Sequence, residues 1–323
     1  MKEPLVTIAC ISYNHSQYIR DAIEGFLMQK TNFPVEIRIF DDASTDGTQE
    51  IIKEYAKNHA NIITFLMTEN QWSKGKYGLI DWIFPSAKGK YIALCEGDDY
   101  WIDPYKLQKQ VDFLEENSDY VICFHKVLIL KNKKFKKDYI TKVPDETTTL
   151  EDLIRFGNFI HTPSVLFRND LIDKFSHYFR NCIIGDYPLY VLLTRYGKIK
   201  YINEVMAVYR IHDGGYWSNR NKNDIAVLMG ISEMKKNLLV SLEQFSEVRN
   251  ILSENLSKSF LQISEILLKK GEINNSINFF KKAIDYNVNV VHYNYFKYKS
   301  YLNILINIKL FIIKIKNFVL RCF

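Results

Sequence analysis

The chain has 323 residues, 47% of them hydrophobic and 14% aromatic, with a formal net charge of +6. These values exclude an intrinsically disordered chain and leave room for one large domain or two smaller ones. The 43 lysines and arginines nearly balance the 37 acids, so overall charge gives no reason to expect nucleic acid as a partner.

From Met1 the chain runs directly into a strand-like apolar run at Leu5–Ile11 with no signal-peptide pattern, and a cytoplasmic location is expected. Cys10, Cys95, Cys123, Cys182 and Cys322 stand far apart with no CxxC pair, which fits buried thiols in a reducing compartment. Further β-rich runs follow at Val35–Phe40, Ile62–Met67 and Tyr91–Cys95, separated by helical spacing at Ser16–Gln29, Thr48–His59 and Lys76–Ala87. Alternation of this kind predicts an α/β fold with a mainly parallel sheet. In such sheets ligands bind beyond the carboxyl ends of the strands. Three of the predicted strands run straight into polar clusters there: Ser12-Tyr13-Asn14, Asp41-Asp42 and Glu96-Gly97-Asp98-Asp99.

A lysine-rich hairpin or loop is predicted at Lys131–Lys137, and another strand at Tyr201–Arg210. Beyond Asn221 the pattern is helical. Leu256–Asn287 reads as two antiparallel helices joined at Lys270-Gly271-Glu272, similar to a single tetratricopeptide unit, which alone cannot build a solenoid. After Asp285 no acid remains, while Lys297, Lys299, Lys309, Lys314, Lys316 and Arg321 follow. On a helical wheel Ile304, Ile308, Phe311, Ile312, Ile315, Phe318 and Val319 share a face, with Lys314 and Arg321 opposite. The longest apolar run there, Leu310–Ile313, is far short of a bilayer span. The expectation is a helix lying on an anionic membrane surface, with packing onto the helical pair as the other reading.

The acidic clusters carry the chemistry. In Asp41-Asp42-Ala43-Ser44-Thr45-Asp46-Gly47-Thr48, capping of the next helix accounts for Ser44 or Asp46. It does not account for two adjacent carboxylates, which repel unless a donor or cation sits between them. Glu96, Asp98 and Asp99, three carboxylates within four residues at a strand end, call for a hard cation such as Mg²⁺ or Mn²⁺ that shares its shell with phosphates. Neither GxxxxGK[ST] nor GxGxxG occurs.

Together these segments resemble the family 2 glycosyltransferases over roughly residues 4–220. The carriers are Ser12-Tyr13-Asn14, Asp-Asp-x-Ser-x-Asp-Gly-Thr at 41–48 and Glu-Gly-Asp-Asp-Tyr-Trp at 96–101, a variant of the DxD motif. The resemblance implies the GT-A nucleotide-diphospho-sugar fold, an inverting transfer from a nucleotide sugar (UDP being the expected nucleotide) and a Mn²⁺ or Mg²⁺ cofactor. It places Ser12, Tyr13, Asn14, Asp41, Asp42, Glu96 and Asp98 around the donor, with Asp41 on the base and Glu96 near the ribose. Asp98 and Asp99 would take the metal. In Ile183-Ile184-Gly185-Asp186, Gly185 replaces the first acid of the family's pair and Asp186 matches the second, implying a general base. His212, after Tyr209-Arg210-Ile211, would touch the metal or pyrophosphate. Trp101 and Trp217 are candidates for stacking on sugars, or for core packing.

The resemblance also implies a saccharide or lipid-linked saccharide acceptor in cell-surface polysaccharide or glycolipid synthesis. The expected organisation is a catalytic domain at 1–220, a helical extension at 221–300 and an amphipathic terminal helix at 301–323. Two rivals stand: nucleotidyl transfer, which normally wants a Gly/Arg/Lys-rich triphosphate loop where Ser12-Tyr13-Asn14-His15 stands, and a non-catalytic membrane-tethered scaffold.

Overall fold

The structure is a computed structural model and describes residues 3–174, 185–215 and 224–287. Cys182, Trp217, Cys322 and the predicted terminal helix at 301–323 lie outside the described residues. The chain divides into two compact units, Met1–Asn219 and Arg220–Phe323.

The first unit opens with β1 (Val6–Ser12), α1 (Ile19–Leu27), β2 (Val35–Asp41), α2 (Thr48–Asn58) and β3 (Ile62–Leu66). Then come a one-turn helix α3 (Phe84–Ser86), β4 (Tyr91–Glu96), β5 (Tyr100–Trp101) and α4 (Lys106–Glu116). The remainder comprises β6 (Tyr120–Lys131), β7 (Lys134–Lys137), β8 (Thr147–Thr148), α5 (Leu150–Phe156), β9 (Leu166–Arg168), α6 (Asp186–Leu193) and β10 (Lys198–Ile211). The strands form one sheet in the order β3-β2-β1-β4-β9-β6-β10-β5, with β7 paired to β6 and β8 to β10. β3, β2, β1 and β4 are parallel, as are β6 and β10.

The apolar runs form the inner strands for a simple reason. Strands covered by helices on both faces bury consecutive residues, and every residue of β1 except Ile11 is buried. On α1 the buried residues Ile19, Ala22, Ile23 and Phe26 follow the i, i+3, i+4, i+7 spacing that packs one helix face against a sheet.

One expectation changes, and one open between two forms is resolved. The helix predicted at Lys76–Ala87 is instead a wide π-type turn at Gly78–Ile83 followed by α3. That turn places Trp82 against Phe40, ring centres 5.0 Å apart, and brings the Ser86 hydroxyl to Arg38 at 2.7 Å. The lysine-rich stretch is a tight two-residue hairpin: Leu130 pairs with Phe135 and Lys131 with Lys134, leaving Asn132 and Lys133 at the turn with φ of 50° and 59°. Positive φ at both central residues is the type I′ geometry that matches strand twist.

The second unit contains α7 (Ile225–Ser241), α8 (Ser246–Lys269) and α9 (Ile273–Tyr286). α8 begins ten residues before the expected Leu256, because Val248 and Leu252 extend its buried stripe toward the N-terminus. The turn falls where predicted. Gly271 takes φ +79°, its N–H reaches the Leu268 carbonyl, and the Glu272 N–H reaches that of Leu267, which is the double closure of a Schellman motif. Small residues let α8 and α9 approach: Ser264 bonds Ser276, and the Ser257 hydroxyl donates to the Ala283 carbonyl at 2.8 Å.

Candidate active site

The sheet register gathers the polar clusters. Ser12 lies beside Asp41 across the β1–β2 pair, and Ile11 beside Glu96 across β1–β4. The loops that follow are tied together by main-chain donors. The Asn14 N–H bonds Ser44 Oγ at 2.8 Å, the Thr45 N–H bonds Asn14 Oδ1 at 2.9 Å, and the Ser16 N–H bonds Asp46 Oδ2 at 2.9 Å. Asn14 holds φ of 56° to make this clasp. Asp46 also accepts from the Thr48 N–H and hydroxyl at the start of α2. Burial opposes its charge, but these donors prevail and hold its carboxyl down at about 2.

The two adjacent aspartates have separate tasks. Asp41 is fully buried and accepts from the Ser44 N–H (2.9 Å), the Ser44 hydroxyl (2.5 Å) and the Gln49 amide (2.8 Å). Asp42 turns toward the segment after β3 and accepts from the Gln71 N–H at 2.5 Å and the Trp72 N–H at 3.1 Å. Tyr13 is half exposed, and Ser12 Oγ is buried without a partner among the described residues.

At the end of β4 the chain turns through Gly97, where there is no room for a side chain. An added Cβ would stand 2.9 Å from Ile19 Cδ1 and 3.0 Å from His15 Nδ1. Asp98 and Asp99 follow, both buried. His212 Nε2 lies 3.0 Å from Asp98 Oδ2, and His15 Nε2 lies 3.9 Å from the same oxygen. Burial lowers the pKa of His15, against the nearby charge of Asp98. Burial is the largest influence on the Asp98 carboxyl and would raise it, but the His212 hydrogen bond, the two neighbouring imidazoles and a backbone donor together outweigh it and hold Asp98 below the ordinary carboxylate value. Asp99 and Glu96 are both pushed upward, by burial first and then by the charge of Asp98.

Arg210 fixes this floor to β10. Its backbone N–H donates to Asp99 Oδ1 at 2.7 Å, its guanidinium donates to the Asp98 carbonyl at 2.8 Å and pairs with Asp21, and its face covers the Tyr100 ring at 4.3 Å. Sequence reasoning names neither Asp21 nor Asn158. Such partners arise from non-local packing and leave no periodic trace. His15 is not named as a site residue either, although its place directly after Ser12-Tyr13-Asn14 is a signal that could have found it.

Among the described residues no group of three or more His, Cys, Asp or Glu side chains is arranged to hold a metal ion. Two protein ligands nevertheless fit a cation that completes its shell with phosphate oxygens and water. Asp98 Oδ1 and Asp99 Oδ2 are buried carboxylate oxygens without hydrogen-bond partners among the described residues. Adjacent like charges in a buried site are relieved by a cation.

Asp186 is the first residue of α6. Its Oδ2 accepts from the Asn158 amide at 2.9 Å and its Oδ1 from the Tyr187 N–H at 2.7 Å. Burial raises its pKa, and these two donors moderate the rise. Its charge adds to the upward push on Glu96, after burial and the charge of Asp98. Trp101 is not available to a sugar: it is 2% exposed, its indole N–H donates to the Pro163 carbonyl at 2.8 Å, and its ring packs on Phe26.

This arrangement matches a known family. The family model described as Glycosyl transferase family 2 covers residues 7–175, more than half of the chain. The chain belongs to glycosyl transferase family 2. Among curated relatives, an uncharacterized Mycobacterium bovis protein is 38% identical over 212 residues, 66% of this chain and 60% of that one. The chain thus spans about 60% of the length of the first relatives it matches. The Escherichia coli UDP-Glc:alpha-D-GlcNAc-diphosphoundecaprenol beta-1,3-glucosyltransferase WfaP is 28% identical over 222 residues, 68% of this chain and 82% of WfaP. The structure of S. aureus TarS residues 1–349 in complex with UDP-GlcNAc superposes with a TM-score of 0.65 at 17% identity, covering 87% of this chain and 81% of that one. That likeness shows the fold that the sequence resemblance implied. No helix among the described residues is long and apolar enough to cross a membrane.

Proposed function

We propose that this chain is an inverting, metal-dependent glycosyltransferase that moves a sugar from a nucleoside-diphosphate sugar, with UDP as the preferred nucleotide, to an acceptor hydroxyl. The observation that carries this reading is the buried acidic turn at the strand ends, where Asp98 stands 3.0 Å from His212. Asp186, braced by Asn158 at 2.9 Å at the start of α6, supplies the second acid that the reading needs.

Asp41, with Ser12, Tyr13 and Asn14 around it, receives the nucleoside, and Glu96 lies toward the ribose. Asp98 and Asp99 would hold Mn²⁺ or Mg²⁺, with His212 set against Asp98 beside it, and the ion when bound would neutralise charge on the departing diphosphate. Asp186 accepts the proton of the acceptor hydroxyl as that oxygen attacks the anomeric carbon opposite the leaving group, so the configuration inverts. A base braced by two donors holds one orientation, which fixes the direction from which the acceptor oxygen is deprotonated.

WfaP is named for transfer to a diphosphoundecaprenol-linked sugar, which supports a lipid-linked saccharide as the acceptor class and cell-surface polysaccharide or glycolipid synthesis as the setting. A peripheral position on the inner face of the membrane follows from that acceptor and from the basic, apolar terminal segment at 301–323.

The test is a panel of nucleotide sugars incubated with the protein and Mn²⁺, read as nucleoside diphosphate release on addition of a lipid-linked saccharide. Release with one donor and its loss in Asp186→Asn support the reading. Pyrophosphate release from a sugar phosphate and a nucleoside triphosphate would make the chain a nucleotidyltransferase, and no turnover with any donor would make it a scaffold.

A further inference from the structure

The β6–β7 hairpin is unexplained by sugar transfer. Between residues 131 and 142 stand six lysines (Lys131, Lys133, Lys134, Lys136, Lys137 and Lys142) and one acid, Asp138. All six lysines are exposed, and none forms an ion pair with another described residue. Interleaved with them are exposed apolar side chains: Phe135 at 59%, Tyr139 at 56% and Ile140 at 46%. Lysines on an edge strand are a common guard against strand pairing between molecules. That accounts for β7 but not for three exposed apolar residues, which would work against such a guard.

The hairpin is held in a particular place. Register ties the hairpin's base to the candidate active site, because Lys131 pairs with Ile211, the residue before His212. At the other end Asp138 accepts from Thr141 and bonds His161 Nε2 at 2.9 Å. The single acid of the segment is thereby turned inward, and the outward charge is entirely basic.

We propose that this hairpin docks on an anionic lipid surface, with Phe135, Tyr139 and Ile140 entering the headgroup layer and the lysines facing lipid phosphates. Amphipathic insertion plus several basic charges is the combination that gives reversible binding to anionic leaflets. The occupant is set by complementarity: exposed lysines interleaved with exposed Phe135, Tyr139 and Ile140 match a surface that is anionic outside and apolar beneath. Docking of this kind rests on the hairpin's own residues and on neither the segment at 301–323 nor the donor assignment.

The experiment is flotation of the full chain with phosphatidylglycerol vesicles and with phosphatidylcholine vesicles. Binding to the first, falling with salt, and little to the second is expected. Replacing Lys133, Lys134, Lys136 and Lys137 together by glutamate lowers the partition by about 100-fold or more, and Phe135→Ser lowers it by roughly tenfold. Neither change alters transfer to a water-soluble acceptor. Unchanged flotation of the four-lysine variant would overturn the proposal, as would equal binding to both lipids or a loss of duplex DNA binding with vesicle binding retained. Should the four-lysine variant fold poorly, Phe135→Trp in the otherwise natural chain supplies the reading. A blue shift of its added emission on anionic vesicles supports insertion, and an unshifted emission with the protein bound overturns it.

Discussion

The Asn158 amide donates to Asp186 Oδ2 at 2.9 Å, joining the end of α5 to the start of α6 across 28 residues of sequence. A donor to the charged carboxylate favours ionisation. Burial works the other way and dominates, leaving Asp186 above the ordinary carboxylate range. Asp186→Asn is expected to lower kcat by roughly 10²–10⁴-fold with donor affinity nearly unchanged. In Asn158→Ala the carboxyl loses a stabilising donor, its pKa rises further, and the acidic limb of the kcat/KM profile moves to higher pH. A uniform fall in rate with an unmoved limb would reduce Asn158 to packing. Collapse of donor binding in Asp186→Asn would place the base elsewhere.

Asp98 and His212 make a separate case. Asp98→Asn keeps the shape of the side chain but leaves a neutral amide where the cation would bind. Activity is expected to fall close to background while circular dichroism stays that of the parent. His212→Ala is expected to weaken Mn²⁺, measured by calorimetry in the presence of nucleoside diphosphate, by about 10–100-fold, the cost typical of disturbing a metal's surroundings. Parent-level activity of Asp98→Asn in excess EDTA would remove the metal from the reaction.

Asp41 and Asp42 should separate cleanly despite being neighbours. Asp42 spends both oxygens on the Gln71 and Trp72 N–H groups, so Asp42→Ala is expected to cost about 1–3 kcal/mol of stability and leave nucleotide affinity near that of the parent. Asp41 also spends both oxygens, on Ser44 and Gln49, but those contacts set the loop clasped to Asn14, so Asp41→Asn is expected to weaken nucleoside diphosphate binding, by about tenfold or more. Equal losses of affinity in the two variants would show that Asp42 also meets the donor.

A stability prediction comes from Lys106, which is fully buried, bonds Gln110 at 2.8 Å and lies 4.1 Å from the centre of the Trp101 ring. Burial lowers its pKa to about 7. Above that pH the unfolded chain binds a proton that the folded chain does not, so unfolding free energy rises with pH from about 7. Near pH 9 the trend turns. The thiols of Cys10, Cys95 and Cys123 are kept protonated by burial and begin to ionise only in the unfolded chain. Urea midpoints from pH 6.5 to 9 are expected to climb for the parent and to stay flatter for Lys106→Met. Parallel slopes in the two proteins would mean that Lys106 is charged throughout.

Much of the fold was readable because strands covered on both faces announce themselves as apolar runs, and because polar clusters at their ends mark where ligands sit. Ser12, Asp41 and Glu96 were found from that rule alone, and the register sets them side by side. What could not be read is what depends on contacts far apart in sequence. The inward turn of Trp101 follows from its bond to Pro163, and the wide turn at Gly78–Ile83 follows from Phe40 and Arg38. The start of α8 was missed for another reason: serines and charged residues interrupt its first turns, so the apolar stripe looks weaker in the sequence than in the fold.

The crowding at Gly97 has a consequence for redesign of specificity. The acidic turn is wedged between Ile19 and His15 and clamped by Arg210, so its carboxylates are already placed and little ordering entropy is spent there when a donor arrives. Changes within this turn would therefore reduce binding of all donors alike. The discrimination of one sugar from another has to be sought in side chains that border the turn, and a library aimed at donor preference should hold residues 96–99 constant.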